Sequence, residues 1–143
     1  MILPPHLFDM AHTIQDSIFI SPCAISQHAA LEALKHPEII SYFHSYVREN
    51  RDYAYNALKP LEEKKIISMI KPPAAFYLFI KTPDNDTTDR CFDIAQKAGV
   101  SVVPGKAFGL DHASFLRICF AREKHVLEEG VKRFVHYWED FYV

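Results

Sequence analysis

From Phe8 to about Ala57, apolar residues return every three or four positions, the spacing of helices that each bury one stripe. Pro4 and Pro5 suit the first turn of a helix, and Leu7, Phe8, Ala11 and Ile14 carry its stripe to about Asp16. Ser21-Pro22 reads as an N-cap followed by a proline at the first helical position. It opens a small-residue helix with Ala29, Ala30, Leu31 and Leu34 on its tight face. Pro37 starts the longest helix, about residues 37–58. There Ile39, Ile40, Phe43, Val47, Ala54, Ala57 and Leu58 follow one side, and Arg48, Glu49, Arg51 and Asp52 fill the other.

Past Pro60 the pattern shortens. Lys71-Pro72-Pro73 is stiff and extended, and the aromatic, β-branched run from Ala75 to Ile80 predicts a strand. Asp86 is placed to cap a helix with Asp89 at its third position, ending at Ala98 with Gly99 just beyond. Val100 to Val103 and Phe115 to Phe120 predict two short strands. Leu127, Val131, Phe134, Val135 and Trp138 mark a last amphipathic helix, in which Gly130 costs about 1 kcal/mol relative to alanine. From Pro73 the order is strand, helix, strand, strand, helix: a small α/β unit preceded by three helices.

Composition narrows the function classes. The 143 residues are 49% hydrophobic and 24% charged with a formal net charge of -2, which suits a soluble globular chain of one domain or parts of two. No basic stripe interleaved with aromatics points to nucleic acid. The apolar runs are too short to span a bilayer, and the first residues lack a signal peptide's basic start and long apolar core. Cys23, Cys91 and Cys119 form no CxxC pair, so free thiols in a reducing cytoplasm are expected. His28, His36 and His44 recur every eight residues, a step that drifts about 80° around a helix, so no metal site is expected.

The chemistry-bearing candidate is Arg117. In "FLRICFA" alternation puts Phe115, Arg117 and Cys119 on one face and Leu116, Ile118 and Phe120 on the other. An inward-facing cation on a strand is costly unless an anion meets it, and a guanidinium takes a carboxylate two bonds at a time. The alternative is a sheet-edge arginine that reaches solvent or pairs with a glutamate. Pro104-Gly105 carries a type II turn signature. Lys106 beside it reads as a solvated turn lysine rather than a Schiff-base nucleophile. Tyr77 and Phe79 read as core or as pocket lining. The four glycines supply no phosphate-cradling loop.

"ISPCAISQHAALEAL" (20–34), "PPAAFYLF" (72–79), "VSVVPGKAFG" (100–109) and "FLRICFA" (115–121) occur in this order. The chain thereby resembles the C-terminal part of class I/II, fold-type I, pyridoxal-phosphate-dependent aminotransferases of the aspartate/aromatic kind. The resemblance implies the small C-terminal domain of that family, an α/β mixed sheet with covering helices, over residues 43–143. Residues 1–42 would be the end of the large cofactor domain. It implies that Arg117 binds the α-carboxylate of an amino acid or 2-oxo acid, beside a wall shaped by the Pro-Gly corner and Phe108. The family's cofactor lysine, the aspartate facing the pyridine nitrogen and the phosphate loop correspond to positions upstream of Ile2. No catalytic or cofactor-binding residue is therefore assigned, and the chain alone is expected to be inactive, a truncated portion with no covalently bound pyridoxal phosphate. Ala74 departs from the family's usual glycine. Helices left without the large-domain sheet would find cover in a homo-oligomer. The rival reading is a non-catalytic ligand-binding or dimerisation module.

Overall fold

The structure is a computed structural model and describes residues 2–142. It divides into two compact units, Met1–Tyr42 and Phe43–Val143. In the first, the paired prolines open a short 3-10 turn, Pro5–Leu7, and α1 (Phe8–Ile18) follows, two residues longer than the stripe predicts. α2 (Ala24–Lys35) starts later than its proline suggests. Cys23, not Ser21, is the N-cap, because the chain stays extended there (φ -62°, ψ 148°). Its thiol meets the Ser26 hydroxyl at 3.2 Å, and Gln27 donates back to Pro22 O at 2.8 Å.

α3 (Pro37–Glu63) continues through Pro60, where the sequence predicted its end. A helical proline forfeits a hydrogen bond and costs about 3 kcal/mol. Leu58 and Leu61 on either side are fully buried, and their packing carries the helix past it. Lys65 then takes a left-handed φ of 60°, and Ile66 donates to Leu61 O, which closes the helix end.

The sheet contains β1 (Ser68–Met69), β2 (Tyr77–Lys81), β3 (Val103–Pro104) and β4 (Phe115–Cys119) in the order β1-β2-β4-β3. Every pair is antiparallel, which corrects the mixed sheet expected from sequence. The crossover from β2 through α4 (Thr88–Ala98) does set β3 parallel to β2. It leaves one space between them, and β4 fills that space antiparallel to both. α4 starts one residue later than predicted: Thr87 is its N-cap, while the Asp86 carboxylate accepts the Thr88 N–H at 2.9 Å. Gly99 ends it at φ 67° as expected.

One sheet face packs on the helices. Leu78, Ile80, Leu116 and Ile118 meet Leu58 and Leu61 of α3, Ile94 of α4, and Leu127, Val131, Phe134 and Trp138 of α5 (Lys124–Tyr142). The other face is half-exposed. Among the described residues, no helix is long and apolar enough to cross a membrane.

Candidate functional site

Strand alternation puts Leu116 and Ile118 into the core and leaves Phe115, Arg117 and Cys119 on the half-exposed face. Arg117 therefore does not face inward as the sequence suggested, nor does it stand at a sheet edge. β4 is an interior strand, and Arg117 has Phe79 of β2 and Val103 of β3 as its direct ladder neighbours. With backbone on both sides, the side chain has one way out: up from the open face.

Two aromatic rings meet it there. The guanidinium carbon lies 4.6 Å from the centre of the Phe108 ring and 5.1 Å from that of Tyr77. A ring attracts a cation through its face, so rings that cover the guanidinium leave its in-plane N–H donors for another partner. Among the described residues Arg117 makes no hydrogen bond or salt bridge. The carboxylate that would satisfy a desolvated guanidinium is not supplied by its own neighbours.

Phe108 reaches Arg117 by an unusual route. Pro104 (φ -65°, ψ 139°) turns the chain into a 3-10 turn, Gly105–Phe108, and a second turn, Leu110–His112, follows at once. The corner is not the type II turn its sequence suggests, since the positive-φ glycines are Gly99 and Gly109. Gly105 is needed for space: a Cβ there would sit 2.1 Å from His112 O and 2.7 Å from Phe115 O. Gly109, at φ 137°, supplies the backbone reversal that L side chains rarely adopt.

The two turns gather rings around Phe79. Its ring stacks on Phe115 at 4.8 Å and meets Phe108 and His112 edge-on at 6.0 and 5.5 Å. Tyr77 and Phe79 are thus the floor of an aromatic platform rather than core, and His112, which sequence reasoning passed over, belongs to it. The start of α4 pins the corner from beneath. Buried Thr87 donates its hydroxyl to Phe115 O and its N–H to Ala113 O, while Lys106 pairs with Asp86 at 2.9 Å. Lys106 is a half-exposed turn lysine, as the sequence suggests, and its ammonium is also ion-paired with Asp86. Hydrogen bonds from the Thr88 hydroxyl and Lys106 hold the Asp86 carboxyl down at about 2. Chemically, the arrangement is a fixed cation with its faces covered and its edge free on an apolar platform, the means to orient a small carboxylate.

The sequence profile described as "Aminotransferase class I and II" matches residues 5–134. A probable aspartate/prephenate aminotransferase of Rickettsia prowazekii (strain Madrid E) is 35% identical over 141 residues, covering 86% of this chain and 33% of its own. A bifunctional aspartate aminotransferase and glutamate/aspartate-prephenate aminotransferase of Petunia hybrida is 31% identical, covering 91% of this chain and 29% of its own. The crystal structure of an aspartate aminotransferase from Rhizobium meliloti superposes with a TM-score of 0.75 at 27% identity, over 95% of this chain and 36% of that one. The chain spans about a third of the length of the curated relatives it matches.

Proposed function

Because the chain belongs to the aminotransferase class I and II family, we propose that it supplies the carboxylate grip of an enzyme that moves an amino group between an amino acid and a 2-oxo acid. Residues 43–143 act as the small domain of that enzyme and residues 1–42 as the end of its large domain. Arg117 takes the substrate α-carboxylate bidentately, with Tyr77 and Phe108 holding the guanidinium upright. Fixing the carboxylate end sets where the amino group lies, and such positioning contributes to rate by removing orientational freedom before reaction. The observation that carries this reading is the unpaired guanidinium between two rings on an interior strand.

Complete enzymes of this family use pyridoxal phosphate, which when bound supplies the amino-transfer chemistry. The described residues of this chain do not fit that group. Covalent attachment needs a lysine amine free to attack beside the bound substrate, and the lysine of the corner beside Arg117, Lys106, is ion-paired with Asp86 at 2.9 Å. The chain alone is proposed to be inactive. Incubation with pyridoxal phosphate, borohydride reduction and mass spectrometry test this: no stoichiometric adduct is expected, and one adduct on a single lysine contradicts it.

The first unit bears on partners. Phe8, Ile14, Ile18, Ile25 and Leu34 are all exposed, more than a soluble monomer usually leaves uncovered. Self-association in the cytoplasm is the proposed cover. Light scattering at tens of micromolar is expected to give more than the monomer mass of 16.5 kDa, and a monomeric mass contradicts it.

A further inference from the structure

A second cation-rich place lies in the second unit, where α3 passes the approach to β2. His44, Arg48 and Arg51 follow one another at four- and three-residue steps and so share a face of the helix. With Val47, Phe120 and Pro73, Ala74 and Ala75 they line a cavity of about 360 Å³. No acidic residue lines it. Arg51 is already engaged, with Asp52 at 2.8 Å and with Pro72 O at 3.3 Å. Arg48 is not. Its one partner among the described residues is His44 Nδ1, at 3.5 Å. Basic side chains on successive turns of one helix face oppose each other when protonated, and among the described residues no carboxylate pairs with His44 or Arg48.

The opposite wall is unusual in a different way. Ala75 has a φ of 68°, a left-handed conformation that is unfavourable for a residue with a Cβ. The N–H groups of Ala74 and Ala75 donate to nothing among the described residues. A left-handed residue in an irregular segment turns successive amides towards a common side, forming a concavity suited to an anion. The strained Ala75, the two residues whose amides donate to nothing among the described residues, and Arg48, which has no carboxylate partner, thus line one cavity.

We propose that this cavity binds a small oxyanion carrying two negative charges, a phosphate group or a dicarboxylate. Arg48 and His44 grip it from α3, and the Ala74 and Ala75 amides grip it from the approach to β2. Arg51 keeps the amide wall in place through Pro72 O. The site shares no residue with the Arg117 platform, which lies on the open face of β4, so it is independent of the carboxylate grip proposed there.

The test is to titrate the full chain, labelled with nitrogen-15, with inorganic phosphate and separately with succinate, holding ionic strength constant with sodium chloride. Saturable shifts of the Ala74 and Ala75 amides are expected for at least one of the two, with a midpoint on the order of 1 mM. Phosphate alone saturating identifies a phosphate group, and succinate alone a dicarboxylate. The His44→Gln/Arg48→Gln variant should weaken binding at least about tenfold, and Arg117→Lys should leave it unchanged. The same spectra report whether each variant is folded, and the single charge reversal Arg48→Glu is a second probe should the double variant not be. Shifts that rise linearly for both anions, or that persist undiminished in a folded Arg48 variant, overturn the proposal.

Discussion

The guanidinium carbon of Arg117 lies 4.6 Å from the centre of the Phe108 ring, although the two are nine positions apart along the chain. The corner from Pro104 to Ser114 exists to make that meeting possible, and it can be measured. In a double-mutant cycle of Phe108→Leu and Arg117→Met followed by urea unfolding, a coupling of about 0.5–1 kcal/mol is expected. Coupling indistinguishable from zero would mean that the ring does not hold the cation.

Two glycines should respond in opposite directions. A Cβ at Gly105 would stand 2.1 Å from His112 O, a backbone atom that cannot swing away. Gly105→Ala is expected to cost at least about 3 kcal/mol or to prevent folding. Gly130 lies inside α5 with nothing within 4 Å of an added Cβ, so Gly130→Ala should stabilise by about 1 kcal/mol. Urea midpoints moving the same way in both variants would contradict this account.

The helices and the strand alternation were legible because periodicity reports which face is buried, and that face holds them. Leu116 and Ile118 took the core side as the pattern of "FLRICFA" requires. Which side of the sheet the helices cover is a tertiary choice that alternation cannot express, so the pattern leaves open whether Arg117 meets an anion inside or reaches solvent, and the fold puts it on the open face. The platform was less legible still. Phe108 and His112 arrive through two 3-10 turns with no period of their own; the family resemblance places Phe108 beside Arg117, and no pattern in the sequence signals His112. α3 outran its predicted end because the burial of Leu61 outweighs the local cost of Pro60.

Acid should loosen the anchor beneath the platform. The Asp86 carboxyl titrates near 2 in the folded chain, held down by the Thr88 hydroxyl and by Lys106, against about 3.9 when unfolded. Its contribution is therefore complete above about pH 4 and disappears as pH falls through about 2. Asp86→Asn keeps an acceptor for the Thr88 N–H and removes the charge. The stability gap between wild type and this variant should stay level from pH 7 to 5 and close between pH 4 and 2. A gap unchanged at pH 2 would show that the ionised pair contributes nothing.

The three thiols should separate by reactivity. Cys23 is exposed, and a hydrogen bond with the Ser26 side chain lowers its pKa. Cys91 is buried, which pushes its thiol up to about 11. With limiting iodoacetamide on the native chain, peptide mass mapping should find Cys23 alkylated first and Cys91 last, by about a hundredfold or more. Early labelling of Cys91 would contradict the packing of α4 against the sheet.

The central claim is that Arg117 grips a substrate by its carboxylate. It is tested most directly by combining this chain with the remaining part of the enzyme and comparing kcat/KM for an amino acid with that for its amide, before and after Arg117→Lys. The account predicts a loss on the order of 100-fold for the amino acid and little change for the amide, so that the preference between them collapses. An amino-acid kcat/KM that survives the substitution, or an equal loss on both substrates, would contradict it.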